Sequence, residues 1–197
     1  MSKRLYVAYG SNLNIQQMAS RCPGAKLYGT GVIENFELQF KGQPHGAFAT
    51  IAPKDGASVP VAVWEISKRN EQALDRYEGY PSHYFKQDVP VQLDGKEVTA
   101  MVYVMNLKMD FGLPAPYYYD VVREGYEDCG LDPAALEQAL RESTAQFYGS
   151  HWPHQESIFR FESDAEPDED ELEEDDDPDL DEDEPELDET DPFYFSE

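Results

Sequence analysis

Two short stretches carry residue types suited to acid–base chemistry. The first, Leu5-Tyr6-Val7-Ala8-Tyr9-Gly10-Ser11-Asn12-Leu13, is an apolar, aromatic-rich run that ends abruptly in Gly10-Ser11-Asn12. A buried strand that turns there aims successive backbone N–H groups at one point, a concavity suited to an anion or a developing oxyanion. Gly10 permits a backbone geometry and a close approach that a side chain would block. The same letters also fit an ordinary strand-to-helix turn. The second stretch ends in Glu78. Glu71-Gln72-Ala73-Leu74-Asp75-Arg76-Tyr77 are good helix formers, Gly79 suits the position after the helix, and Pro81 forbids its continuation. A carboxylate at that helix end meets the negative pole of the dipole, and burial beneath Tyr77, Tyr80 and Tyr84 acts in the same direction. Both raise its pKa toward the range of a group that accepts and returns protons near neutrality. A solvated glutamate at a frayed helix end is the plainer alternative.

Other chemistries have thinner support. Ser11 follows a glycine at a strand end but lacks the GxSxG elbow. Cys22 and His45 are types that form a thiol–imidazole pair, although a small buried cysteine is the commoner use. The histidines show no metal pattern, His151 and His154 merely flanking Trp152-Pro153. Nucleotide-binding glycine fingerprints are absent. Among 13 tyrosines, Tyr9, Tyr84, Tyr103 and Tyr117-Tyr118-Tyr119 are candidates to line a pocket with hydroxyls at its rim, or to serve as plain core aromatics.

The elements that must position these residues follow from pattern. After the opening strand, residues 14–21 form a short helix capped by Asn14 and closed by Pro23-Gly24. Residues 25–40 are β-branched and aromatic, with Gly29 and Gly31 as expected bends or bulges. A loop at 42–46 leads to a strand at 47–52, a turn at Lys54-Asp55-Gly56, and a strand at 59–66. Ser67 caps the helix that ends at Glu78, with Leu74 and Tyr77 on one face. Strands at 84–92 and 97–105 are joined through Asp94-Gly95, a hairpin signal. After a loop at 106–115, Pro116 opens a helix to about Cys129, stopped by Gly130. Asp132-Pro133 then opens a last helix to about Tyr148. Strands come early and helices late, so the expected class is α+β: a small mixed, curved or closed sheet with flanking helices.

The net charge of −26 divides unevenly. Residues 162–197 hold 22 acids and no Lys or Arg, leaving 19 acids against all 15 bases, a net of −4, in residues 1–161. The expected organisation is thus a folded domain over 1–161 and an acidic tail over 162–197 that cannot bury enough apolar surface to order itself. No basic patch is available for a nucleic acid. No apolar run approaches the roughly 20 residues of a membrane span, and the apolar stretch after Lys3-Arg4 is too short for a secretory signal. Two cysteines, Cys22 and Cys129, without disulfide-like spacing favour a cytoplasmic setting.

Taken together, these residues resemble the γ-glutamylcyclotransferase family. Tyr9-Gly10-Ser11-Asn12-Leu13 is similar to its N-terminal signature. Leu74-Asp75-Arg76-Tyr77-Glu78-Gly79-Tyr80-Pro81, followed by Tyr84, is similar to its carboxylate-bearing motif. His45-Gly46, Ala49-Thr50-Ile51, Tyr103-Val104-Met105 and Pro114-Ala115-Pro116-Tyr117-Tyr118 resemble further segments in the same order. The likeness covers about residues 4–148 and excludes the tail; the Tyr-Gly-Ser-Asn form is closer to the γ-glutamyl-amino-acid and butirosin-pathway branches. It implies a cyclotransferase-like barrel. It also implies that Tyr6, Val7, Ala8, Tyr9, Gly10 and Ser11, with Asn12 alongside and Tyr84 and Tyr118, contact a small γ-glutamyl substrate, and that Glu78 is the proton acceptor. Neither metal nor cofactor is implied. The chemistry of a γ-glutamyl amide agrees, because its own α-amine closes a five-membered lactam on the γ-carbonyl and releases 5-oxoproline and an amine. Such a substrate needs folding, a base that doubles as an acid, and oxyanion donors.

Two rival readings stand beside this one: a binding or adaptor module of the same fold acting through its tail, and a hydrolase with Ser11 or Cys22 as nucleophile. Tail self-repulsion should keep it extended and able to attract a basic protein partner, with Phe193-Tyr194-Phe195 as an anchor. Truncation after Phe161 is expected to leave the domain folded and kcat on a small neutral substrate little changed. Comparing activities, and tail resonances by NMR, checks this; loss of activity or dispersed tail shifts would mean that the tail docks.

Overall fold

The computed structural model describes residues 3–151. The 1–161 boundary, the acidic tail with its aromatic end, and the Trp152 to His154 stretch lie outside the described residues. Five strands, β1 (Lys3–Ala8), β2 (Lys26–Gln43), β3 (Gly46–Ser67), β4 (Tyr84–Leu93) and β5 (Lys96–Met105), close into a barrel in the order β1-β3-β2-β4-β5. The class is α+β, as the element pattern implied. Every ladder is antiparallel except the closing one, where Tyr6 and Val7 of β1 run parallel to Met101 and Val102 of β5. Consecutive residues such as Tyr6-Val7-Ala8, Val61-Ala62-Val63-Trp64 and Ala100-Met101-Val102-Tyr103 are all buried. A strand covered on both faces loses the period-2 alternation of a half-exposed one.

The long β2–β3 hairpin departs from the pattern reading. Residues 47–52 and 59–66 are not two strands but parts of β3, because both pair with β2. Ser58 pairs with Glu34 and Pro53 with Phe36, so residues 54–57 swing off the ladder opposite Asn35. Asn35 has φ 62° and its Oδ1 accepts the Gly56 N–H at 3.0 Å. The turn signal at Lys54-Asp55-Gly56 therefore marks an excursion within a strand. The register slips fall between Leu27 and Gly29 and between Glu34 and Phe36; Gly31 has another reason. A Cβ there would lie 2.1 Å from the Gln92 carbonyl oxygen, where β2 crosses β4. The β4–β5 turn is as expected, with positive φ at both Asp94 (47°) and Gly95 (77°).

Helix boundaries follow local chemistry. Asn14 caps α1 (Ile15–Arg21), its Oδ1 accepting the Gln17 N–H. Ser67 and Asn70 form a reciprocal capping box on α2 (Lys68–Tyr77). Pro116 opens α3 (Pro116–Asp128). Asp132 Oδ1 accepts the Ala134 N–H at the start of α4 (Ala134–His151), which runs slightly past the expected end. The β2 edge left free by its brief pairing with β4 is covered: the Phe40 N–H donates to Ser143 Oγ of α4 at 2.9 Å, and the Gly42 N–H to the Asp110 carbonyl. Among the described residues, no helix is long and apolar enough to cross a membrane.

What positions the β1 end is α3. A single 3-10 turn, Ser11–Leu13, connects β1 to α1 and packs on Gly125. A Cβ on Gly125 would meet the Asn14 nitrogen and Leu13 Cβ at 2.6 Å. The Ile15 N–H donates to Asp128 Oδ2 at 2.9 Å and Cys129 Sγ to the Leu13 carbonyl at 3.3 Å. Gly125→Ala is expected to cost about 1–3 kcal/mol by overpacking and to displace the turn. A lowered Tm measured together with reduced turnover checks this; full activity would show that the turn is held by other contacts.

Candidate active site

The 3-10 turn and the end of α2 meet at the mouth of the barrel. Leu13 N–H bonds the Gly10 carbonyl and Asn14 N–H the Ser11 carbonyl, so the turn's earlier N–H groups have no partner inside it. α2 ends where the Glu78 N–H bonds the Leu74 carbonyl and Gly79 takes φ 64°. Between them lies a small cavity, open to solvent. Tyr6, Tyr9, Gly10, Ser11 and Asn12 from the β1 end line it together with Glu78, Tyr84, Tyr103, Tyr118 and Ala49.

Its hydrogen bonds fix most side chains in one state. Arg21 Nη1 donates to Asn12 Oδ1 at 2.7 Å; a guanidinium only donates, so the amide nitrogen must face the other way. There Asn12 Nδ2 donates to Tyr6 Oη at 2.7 Å and to Glu78 Oε1 at 2.9 Å. Tyr84 Oη donates to the Ala49 carbonyl at 3.0 Å, while Tyr118 Oη accepts the Ala49 N–H at 3.1 Å and so keeps its own proton to give. Tyr9 Oη donates to the Tyr103 carbonyl, and Tyr103 Oη to Asp75 Oδ1, both at 2.6 Å.

The Glu78 carboxyl is pushed up to about 7. Desolvation in the cavity is the main cause, opposed by the charge of Arg21 and the hydrogen bond from Asn12. The direction matches the sequence reading but the covering residues differ in part. Of the three expected covering tyrosines, Tyr84 lines the cavity, whereas Tyr77 and Tyr80 are 48% and 43% exposed and Tyr6, Tyr9, Tyr103 and Tyr118 complete the enclosure. Gly10 also has a narrower reason than expected. Its φ of −116° is open to any residue, but a Cβ would lie 3.2 Å from Tyr118 Oη and 3.4 Å from Ala49 Cβ. A side chain there would crowd the Tyr118 hydroxyl.

Of the expected contact residues, Tyr6, Tyr9, Gly10, Ser11, Asn12, Tyr84 and Tyr118 reach the cavity with Glu78. Val7 and Ala8 do not line it; they are buried in β1, paired with Val63 and Ala62 of β3. Of the three adjacent tyrosines only Tyr118 lines it. Tyr117 is 75% exposed and Tyr119 packs on Phe40, since a helix turns each successive side chain by about 100°. Arg21 and Ala49 were not among the expected site residues, although Ala49 stands in a segment that resembles the family. A basic residue in a last helical turn reads as a dipole partner, and Ala49 contributes only backbone. The nucleophile candidates lack activating partners. Ser11 Oγ lies 3.1 Å from Tyr77 Oη and 3.2 Å from Arg21 Nη1, and among the described residues no imidazole or carboxylate is hydrogen-bonded to it. Cys22 is buried against the Asn70 carbonyl and burial pushes its thiol up to about 11, while His45 packs on Phe147 at the β2–β3 turn. Among the described residues, no group of His, Cys, Asp or Glu is arranged to hold a metal ion.

The sequence profile described as gamma-glutamyl cyclotransferase, AIG2-like, matches residues 6–120, a span that includes both the 3-10 turn and Glu78. The gamma-glutamylcyclotransferase of Bos taurus is 34% identical over 140 residues, 64% of this chain and 72% of the relative. That of Homo sapiens is 32% identical over 146 residues, 70% of this chain and 77% of the relative. A solved gamma-glutamyl cyclotransferase superimposes with a TM-score of 0.64 at 32% identity, covering 71% of this chain and 87% of its own.

Burial of the Glu78 carboxyl has a consequence for stability. A carboxyl raised from 4.5 to about 7 stabilises the fold only while protonated, so that contribution is present below about pH 4.5 and lost as pH rises through 7. Glu78→Gln keeps the acceptor for Asn12 without the ionisation. It is expected to match wild type near pH 4 and to exceed it above pH 7, by on the order of 3 kcal/mol. Tm measured across that range checks the sign.

Proposed function

The chain belongs to the gamma-glutamyl cyclotransferase, AIG2-like family and is an enzyme, and from that premise we propose that it converts a small γ-glutamyl amide to 5-oxoproline and a free amine, with Glu78 as general base and then general acid. The single observation that carries this reading is the Glu78 carboxyl, the one carboxyl lining the cavity, raised to about 7 and facing the Gly10-Ser11-Asn12 turn.

In this mechanism the substrate supplies the nucleophile. Held folded, its α-amine lies within reach of the γ-carbonyl carbon, and proximity replaces an enzyme nucleophile. Glu78 takes a proton from the α-ammonium, and the freed amine forms the new C–N bond of a five-membered ring. The carbonyl electrons move to oxygen, where the unpartnered N–H groups of the turn and the Tyr118 hydroxyl act as donors. As the oxyanion collapses, the bond to the leaving nitrogen breaks and Glu78 returns its proton to that nitrogen; Glu78 then passes the surplus proton of the new ring nitrogen to the departing amine, which leaves as an ammonium. The proton count closes without water, metal or cofactor. A carboxyl that titrates near 7 suits both halves, since it is basic enough to take the proton and acidic enough to return it. The Ser11 hydrolase reading is not favoured, because the Ser11 hydroxyl is bonded to a phenol and a guanidinium and, among the described residues, to no imidazole or carboxylate.

A panel of γ-glutamyl amides with mass detection of 5-oxoproline tests the reaction and identifies the leaving amine. Glu78→Gln is expected to lower kcat/KM by about 10²–10⁴-fold in a folded protein. Wild-type kcat/KM is expected to rise with pH through about 7, where Glu78 ionises. A Glu78→Gln variant within about threefold of wild type, or a covalent acyl-Ser11 species, would overturn the assignment.

A further inference from the structure

Arg21 stands out as a cation without a carboxylate. Among the described residues it forms no ion pair, as Arg69 and Arg76 also do not, but it alone of the three is hydrogen-bonded to the turn beside Glu78. Its guanidinium instead lies 3.8 Å over the Tyr77 ring and donates through Nη2 to Gln17 Oε1. Through Nη1 it donates to Asn12 Oδ1 at 2.7 Å and Ser11 Oγ at 3.2 Å. Each contact fixes the plane of the fork, and the fork fixes Asn12. Were the guanidinium gone, the Asn12 amide would be free to turn its oxygen toward Glu78, exchanging a donor for an acceptor.

From this geometry we propose that Arg21 is a positioning residue for the reaction, acting through Asn12 to keep an N–H donor on the Glu78 carboxyl and so to hold that carboxyl ready to accept a proton. This rests on the reading of Glu78 as the general base. The donor favours the carboxylate over the acid, and the Arg21 charge acts in the same direction across the amide. Without both, desolvation is unopposed, and the carboxyl would remain protonated at neutral pH, unable to begin the reaction. The other titratable groups around the cavity are phenols: Tyr6 and Tyr9 from β1, Tyr84 from β4, Tyr103 from β5 and Tyr118 from α3. Burial holds all five above the ordinary phenol range, so none titrates between about pH 6 and pH 9. Tyr77 of α2 stands beside Ser11, and Asp75 behind Tyr103 is neutralised by Lys86 at 2.7 Å. Arg21 is thus the charge that distinguishes this carboxyl from an ordinary buried acid.

The test is the titration of the Glu78 carboxyl by ¹³C NMR in protein labelled at the glutamate carboxyl carbon, with Glu78→Gln assigning the resonance, alongside pH profiles of kcat/KM. In Arg21→Gln the midpoint is expected to rise by about one unit. Relative to wild type, kcat/KM should then be about fivefold lower at pH 7 and close to equal at pH 9. Arg21→Lys, which keeps the charge, should return the midpoint to within about half a unit of wild type. Should Arg21→Gln not fold, Arg21→Met preserves the packing on Tyr77 and enters the same assay. A midpoint unchanged in a folded Arg21 variant, or an activity loss equal at every pH, would overturn the proposal. Because the NMR midpoint needs no turnover, it judges Arg21 even where Glu78→Gln remains active and the base assignment itself falls.

Discussion

Holding the Glu78 carboxyl out of bulk water is the constraint on which the rest of this structure converges. Ionising a carboxyl in such a place is costly unless donors and a countercharge are arranged around it. The barrel mouth supplies those partners sparingly: one amide N–H from Asn12, and one guanidinium at one remove. With a full ion pair the carboxyl would stay ionised well below neutrality, and with no partner it would stay protonated well above it. The intermediate arrangement leaves it near 7, where the proposed chemistry needs it.

Such a balance survives only on rigid supports, because tenths of an ångström change both hydrogen bonds and desolvation. Asn12 and Glu78 are 66 residues apart, and Tyr6, which accepts from Asn12, lies on the parallel β1–β5 seam. Closing the barrel at that seam brings the end of β1 beside the β5 residue Tyr103, whose carbonyl accepts from Tyr9. From outside, α3 presses on the 3-10 turn through Gly125, and α1 carries Arg21 back over it. The turn is therefore clamped between two helices and the sheet.

The position of α2 is set by charge as well as by packing. Lys86 on β4 contacts Glu71 at 2.6 Å and Asp75 at 2.7 Å, Arg4 on β1 contacts Glu71 at 3.0 Å, and Asp75 accepts from Tyr103 Oη. Single surface ion pairs contribute little. Here two carboxylates of one helix are shared among three strands, which fixes the angle at which α2 delivers Glu78 to the mouth. The same Tyr103 that bonds Asp75 through its hydroxyl lines the cavity with its ring, so the network and the site share a residue.

Much of this was legible in the chain because it rests on local chemistry. The Ser67 cap, the Gly79 stop, the Asp94-Gly95 turn and the placing of Glu78 at a helix end are short-range effects of backbone geometry and hydrogen bonding. The glycine at position 10 and the abrupt polar end of β1 were legible for the same reason. What local pattern could not reveal came from contacts between distant residues. The Lys54-Asp55-Gly56 signal is identical for a turn and for an excursion within a strand, and only pairing of both flanks with β2 distinguishes them. Gly31 is required by a carbonyl 61 positions away in the chain. Which of Tyr117, Tyr118 and Tyr119 faces the cavity depends on the rotation of α3 about its axis, and Arg21 became part of the site because α1 folds back on the turn. The sequence alone determined which groups could do the chemistry; the tertiary structure decided which of them share a desolvated space, because desolvation is a property of enclosure and no residue encloses itself.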